Sequence, residues 1–131
     1  MKIEHAAFQV EDPVALSRWY VTNLGLTVKR AQTESPFGHF LADDTDAVML
    51  EFYRHPNLPV PDYRAMDPML LHVAFWADDV AATRRRLMAA GATSESDVQA
   101  NAAGDELAML RDPGGLGLQL VRRKARMIGR A

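Results

Sequence analysis

Two stretches of this chain repeat one another, and that repetition constrains the fold more than any other feature. One begins at Lys2, KIEHAAFQVEDPVALSRWYVTNLGLTVKR, and the other at Leu70, LLHVAFWADDVAATRRRLMAAGATSES. Both open on a short apolar segment holding one His, at His5 and His72. Both then reach an acidic residue suited to capping a helix, Asp12 in the first and Asp78 or Asp79 in the second. Both continue for about three helical turns and stop at a glycine, Gly25 or Gly91. The two His lie 67 residues apart and the two Gly 66 apart. Strand, cap, helix and stop in one register argue for duplication.

Local signals fill in each copy. Pro13 suits the first helical position, where its missing N–H has no partner to lose. Leu16, Tyr20 and Leu24 form one helical stripe with Trp19 beside it, and Val80, Thr83, Leu87 and Ala90 form the other. Arg84, Arg85 and Arg86 are expected to face mostly water. Strand-like segments follow at 26–33, 37–43 and 46–54, and again at 92–97, 104–111 and 116–122. Each copy therefore reads β-α-β-β-β. The expected fold is α+β, two tandem βαβββ modules forming a curled mixed sheet around a cleft. The modules cover 1–54 and 69–123. The stretch 55–68 between them holds four of the seven prolines and reads as a linker or long surface loop. A basic tail at 124–131 closes the chain, expected to be solvated.

Composition excludes several functions. With no cysteine in 131 residues there is no disulfide scaffold, thiolate zinc site or cysteine nucleophile. A formal charge of −2 gives no general reason to bind nucleic acid or membrane. The opening MKIEHAAF lacks the apolar core of a signal peptide, and no apolar run approaches the roughly 20 residues that span a bilayer. A soluble, cytoplasmic, compact domain is the expectation.

Four polar residues stand inside otherwise apolar strands. His5 shares its strand face with Ile3, Ala7 and Gln9, and His72 with Leu70, Ala74 and Trp76. Taken alone, such a His is ordinarily a hydrogen-bonded core residue. Glu51 lies mid-strand in AVMLEFY, where an ionised carboxylate is costly unless paired or bound to a cation. Gln119 holds the equivalent place in GLGLQLVRR, 68 residues later. His5 to Glu51 is 46 residues and His72 to Gln119 is 47. Two imidazoles, a carboxylate and an amide oxygen, symmetric in the repeat, make a donor set for one divalent transition metal, with positions left open for water or substrate. His39 and His55 read as surface or pocket residues. The Gly-rich run DPGGLG lies between two strands, so a hairpin turn explains it better than a phosphate cradle.

HAAFQVEDPVALSRWYVTNLGL, LLHVAFWADDVAATRRRLMAAGA and RDPGGLGLQLV together resemble the vicinal oxygen chelate superfamily of glyoxalase I, bleomycin-resistance proteins and extradiol dioxygenases. The resemblance runs from about Lys2 to Arg123. It implies the glyoxalase-like fold and places the four metal ligands at His5, Glu51, His72 and Gln119, most like bacterial glyoxalase I with its last Glu replaced by Gln119. An amide is no base, so proton transfer falls to Glu51. Gln9 stands where a glutathione-gripping Arg is expected and His55 where an Asn is. Both positions argue against a glutathione thiohemiacetal substrate. The implied activity is a metal-dependent lyase or isomerase working through an enediolate-type intermediate, with Gln9, Tyr53, His55 and Trp76 lining the pocket. The alternatives are a drug-sequestering protein of the bleomycin-resistance type, an extradiol-type dioxygenase, or another chemistry of the superfamily such as epimerisation or thiol transfer. A homodimer is expected, with the site built in one chain or shared between two.

Overall fold

The computed structural model describes residues 1–129. Arg130 of the basic tail and Ala131 lie outside the described residues. The chain divides into two compact units, Met1–Pro61 and Asp62 onward. The boundary falls inside the Pro-rich stretch, so 55–61 goes with the first unit and Asp62–Pro68 with the second.

The first unit runs β1 (His5–Gln9), α1 (Pro13–Leu24), β2 (Thr27–Ala31), β3 (His39–Ala42) and β4 (Met49–Tyr53). Its four-stranded sheet has the order β1-β4-β3-β2. β1 and β4 pair in parallel, with Ala7 opposite Glu51, while β3 is antiparallel to β4 and to β2. The Asp12 carboxylate caps α1 by accepting from the Ala15 N–H at 3.0 Å. Gly25, at φ +71°, ends the helix in the left-handed conformation open to glycine. The strands are shorter than the apolar runs alone indicate. Asp43 takes the backbone N–H and hydroxyl of Thr45 and turns the chain before β4.

Alternation along the strands separates two faces. Phe8, Leu41 and Phe52 face α1, where Tyr20 meets Phe52 at 5.0 Å between ring centroids and Phe8 lies 6.1 Å from Phe52. Tyr20, Leu41 and Phe52 have no solvent exposure. His39 lies on this side too. It is buried, and its Nδ1 is 2.6 Å from the Phe37 carbonyl, so it is a satisfied core histidine. The other face carries His5, Ala7, Gln9, Phe40, Met49, Glu51 and Tyr53.

The second unit repeats this topology with β5 (His72–Trp76), α2 (Val80–Ala89), β6 (Thr93–Ser94), β7 (Gln99–Ala100), β8 (Glu106–Arg111) and β9 (Gly117–Arg122). The order is β5-β9-β8-β6, with β7 also paired to β8. Asp79, not Asp78, caps α2, accepting from Ala82 N–H at 2.9 Å. β5 and β9 are parallel, with Ala74 opposite Gln119. That matches Ala7 opposite Glu51, so the duplication read in the sequence extends to the strand register. Both sheets are mixed and neither is closed. Leu110, Leu118 and Leu120 are buried beneath α2, whose own Val80 and Leu87 have no exposure.

One strand departs from expectation. The expected strand at 92–97 shortens to β6, with β7 following beyond it, because Glu95 and Ser96 both donate to the Met109 carbonyl, at 2.9 and 3.0 Å. Two residues facing one make a bulge. Arg84 holds it, donating to Ser96 O at 3.2 Å and to Ser94 Oγ at 2.7 Å. That arginine therefore packs on the loop instead of facing water. The tail is engaged as well. Arg123 and the Lys124 N–H bind Asp105, and the Arg126 guanidinium lies 5.0 Å over the Trp76 ring. The DPGG run is a hairpin turn, with Asp112 Oδ1 accepting from the Gly114 and Leu116 N–H groups.

Phe52→Ala is expected to cost about 3–5 kcal/mol of stability in the first unit, because Phe8 and Tyr20 would line the resulting cavity. Urea unfolding checks it; a loss below 1 kcal/mol contradicts the core described.

Candidate functional site

Each unit places a His and a second polar donor on its open face. In the first, β1 and β4 bring His5 Nε2 to 3.6 Å from Glu51 Oε2. Glu51 is only 18 % exposed, beside the ring of Phe40, which meets His5 edge-on at 5.5 Å. The Glu4 carboxylate binds His5 Nδ1. In the second unit His72 and Gln119 share one face, since His72 pairs with Gly117 and Ala74 with Gln119. The Pro68 carbonyl lies 2.8 Å from His72 Nδ1. A carbonyl only accepts, so Nδ1 carries the proton and Nε2 keeps its lone pair.

These residues fit a divalent ion in chemistry. Both imidazoles have Nδ1 engaged by an acceptor, the arrangement that orients a metal-ligating histidine through its Nε2. A half-buried carboxylate and an amide oxygen complete a set suited to a transition metal. The Gln119 side chain makes no hydrogen bond among the described residues. No three His, Asp or Glu side chains gather into a metal-holding group among the described residues. What each sheet supplies is one pair.

The pocket-lining candidates fall into different settings. Gln9 is buried, and its amide clasps the backbone of the following loop. It donates to His55 O and Leu58 O, both at 2.9 Å, and accepts from His55 N–H at 2.7 Å. His55 itself is exposed. Tyr53 is half-buried on the face of Glu51. Trp76 is 43 % exposed at the end of β5, with its N–H given to Asp78 at 2.9 Å and one ring face covered by Arg126.

A cleft of about 680 Å³ opens on the second sheet. Gln119 lines it together with Met66, Met69, Met109, Glu95 and Arg111. Sequence reasoning missed three contributors here. Glu4 stands next to His5 but precedes the strand, so alternation gives it no place. The Pro68 partner is a backbone carbonyl, to which side-chain patterns are blind. Arg111 was legible: a charge ending the apolar run ELAML raises the same question that Glu51 does.

The chain belongs to the glyoxalase-like domain family, whose model matches residues 5–121. This lies within the vicinal oxygen chelate superfamily that its residues resemble. None of the curated proteins matches. Among solved structures, SMU.1112c is 29 % identical, covers 93 % of this chain and 98 % of its own, and superposes with a TM-score of 0.73. A glyoxalase I mutant from Zea mays is 20 % identical over 95 % of this chain and 46 % of its own, with a TM-score of 0.73. TnmS3, an antibiotic binding protein from Streptomyces sp. CB03234, is 19 % identical over 95 % of this chain and 97 % of its own, with a TM-score of 0.68. At those identities the latter two share the fold. Among the described residues no helix is long and apolar enough to cross a membrane.

The Glu4 hydrogen bond raises the His5 pKa above its ordinary value; desolvation opposes this, and the charges of Glu4 and Glu51 add to the rise. A folded pKa above the unfolded one stabilises the fold fully below the unfolded value, and the effect fades as pH rises through the folded value. Glu4→Gln is expected to bring the His5 midpoint down toward about 6.5. NMR titration of the ring protons reads this, and an unmoved midpoint rules Glu4 out as the cause.

Proposed function

We propose that this chain is a metal-dependent lyase or isomerase acting on a small oxygenated substrate. His5, Glu51, His72 and Gln119 are the proposed donors to one divalent ion, Ni, Zn, Mn or Fe. One observation carries the reading: two sheets built on the same register each hold a His with its Nδ1 tied to an acceptor and a polar donor on the neighbouring strand. Independent core accidents do not reproduce a register.

A divalent ion bound by these donors supplies Lewis-acid polarisation of a substrate oxygen. The chain's own residues handle the proton. Glu51 takes it from one carbon and returns it to the neighbour, since its carboxylate is largely shielded yet faces the open side of the sheet. His5 Nε2, on the neighbouring strand, stands 3.6 Å from that carboxylate. Gln119 has no proton to exchange and serves in binding alone. Tyr53, on the face of Glu51, and Trp76, at the end of β5, line the substrate's path. Gln9 shapes that path through the loop it clasps, with His55 presented from the same loop. The absence of an Arg at position 9 favours a substrate other than a glutathione adduct. We propose a homodimer, because each sheet ends on a strand, β1 or β5, whose edge suits pairing; the cytoplasmic location remains the expectation from the sequence.

A second reading is sequestration of a small molecule without turnover. The methionine-lined cleft of the second unit favours it, since methionine adapts to varied ligands. The likeness to the antibiotic binding protein TnmS3 supports it too.

Elemental analysis of untagged protein separates the two. A transition metal retained near one per chain, and lost in the His5→Ala/His72→Ala variant, supports the enzyme. Glu51→Gln is then expected to lower kcat by about 10²–10⁴ while leaving the fold intact. If no metal is retained and none binds on addition, the binding reading takes over, and thermal-shift screening with small molecules replaces the activity assay.

A further inference from the structure

We propose that Arg111 is a positioning residue: acting with Gly117, it holds the Pro68 carbonyl where it locks His72 in the Nδ1–H form, leaving Nε2 as the donor on the open face. The consequence for metal binding rests on the function proposed above; the tautomer itself does not.

Arg111 ends β8 on the open face, opposite Gly117. It is 8 % exposed. Its guanidinium reaches out of the sheet to the segment that leads into β5. One terminal nitrogen donates to Tyr63 O at 2.6 Å and to Gly115 O at 3.2 Å. The other donates to Met66 O at 2.8 Å, and Nε binds the Glu95 carboxylate. The fork thus clasps the backbone at two points just upstream of Pro68. Lysine, a single point donor, cannot span them.

Gly117 supplies the other half of the seat. A Cβ there would stand 2.8 Å from Leu71 O, 3.0 Å from His72 Cβ and 3.2 Å from Pro68 Cβ. The hook from Pro68 to His72 therefore lies directly on the glycine backbone. Clamped from above by Arg111 and seated on Gly117, the Pro68 carbonyl meets His72 Nδ1 at 2.8 Å. In water imidazole favours the other tautomer, so a single Nδ1–H form reports this contact. A merely structural arginine would alter stability and leave the tautomer alone.

The test uses the full chain labelled with ¹⁵N-histidine, without metal, at a pH where imidazole is neutral. Long-range ¹H–¹⁵N correlation reads each ring's tautomer, and a His72→Gln variant assigns the His72 signals. Wild type is expected to show His72 as one Nδ1–H form. Arg111→Lys and Gly117→Ala are each expected to give tautomer-averaged shifts for His72, while His5, in the other unit, keeps its own. Calorimetric titration with Ni²⁺ or Zn²⁺ alone is expected to weaken by about 10–100-fold in both variants. If Arg111→Lys fails to fold, Arg111→Gln decides for the clamp, and Gly117→Ala reads the seat alone. An Nε2–H form in wild type overturns the inference. So does an unchanged Nδ1–H form in folded variants. If the tautomer is lost as expected but wild type binds neither metal, the positioning stands and the metal function falls.

Discussion

In each unit the first strand lies parallel to the last, and the chain between them must cross over. A parallel pair cannot be closed by a tight turn, so a helix makes part of the journey and covers one face of the sheet. Here α1 and α2 do this, and the side chains that meet between helix and sheet, Tyr20 on Phe52 in one unit and Leu87 and Leu118 in the other, are wholly withdrawn from water. The opposite face follows from the same pairing. Ala7 meets Glu51 and Ala74 meets Gln119, which sets each polar residue beside a strand bearing a histidine. A slip of one residue would turn every one of these groups to the helix side. The parallel register thus fixes both where the core lies and where the donors stand.

Polar groups on the open faces are satisfied in two ways. Gln9 and Arg111 are buried there and give their hydrogen bonds to backbone, Gln9 to the loop at 55–58 and Arg111 to the segment at 63–66. They convert the two ends of a Pro-rich stretch into ordered structure, each within its own unit. His5 and His72 engage one nitrogen and hold the other available. Burial without a partner is what costs free energy, so a side chain with one group satisfied can keep the second for a ligand.

Much of this was legible in the residues. The duplication, the capping aspartates, the helix-ending Gly25 and the hairpin at DPGG all rest on local chemistry, and each stands where the pattern put it. The pairing of His5 with Glu51 was legible through alternation within a repeat. What stayed hidden depends on tertiary contacts. The bulge at 95–96 arises because one carbonyl of β8 accepts two N–H groups, which no strand pattern contains. Gln9 reads as a pocket residue on its strand face, yet the loop folding over it takes up its amide. Arg126 reads as tail, but the indole of Trp76 offers it a surface.

The division between a helix-backed face and an open one also bears on how such a chain can change over generations. Substitutions at Tyr53, Met66 or Met109 alter what the open faces greet while the aromatic and leucine cores stay whole. Under the proposed function, specificity can drift there at little risk to folding. Arg111 is the exception, lying on the variable side while fastening the backbone that leads into β5. A lineage exploring new ligands is free to rewrite its neighbours but must keep the arginine, or find another way to hold that segment first.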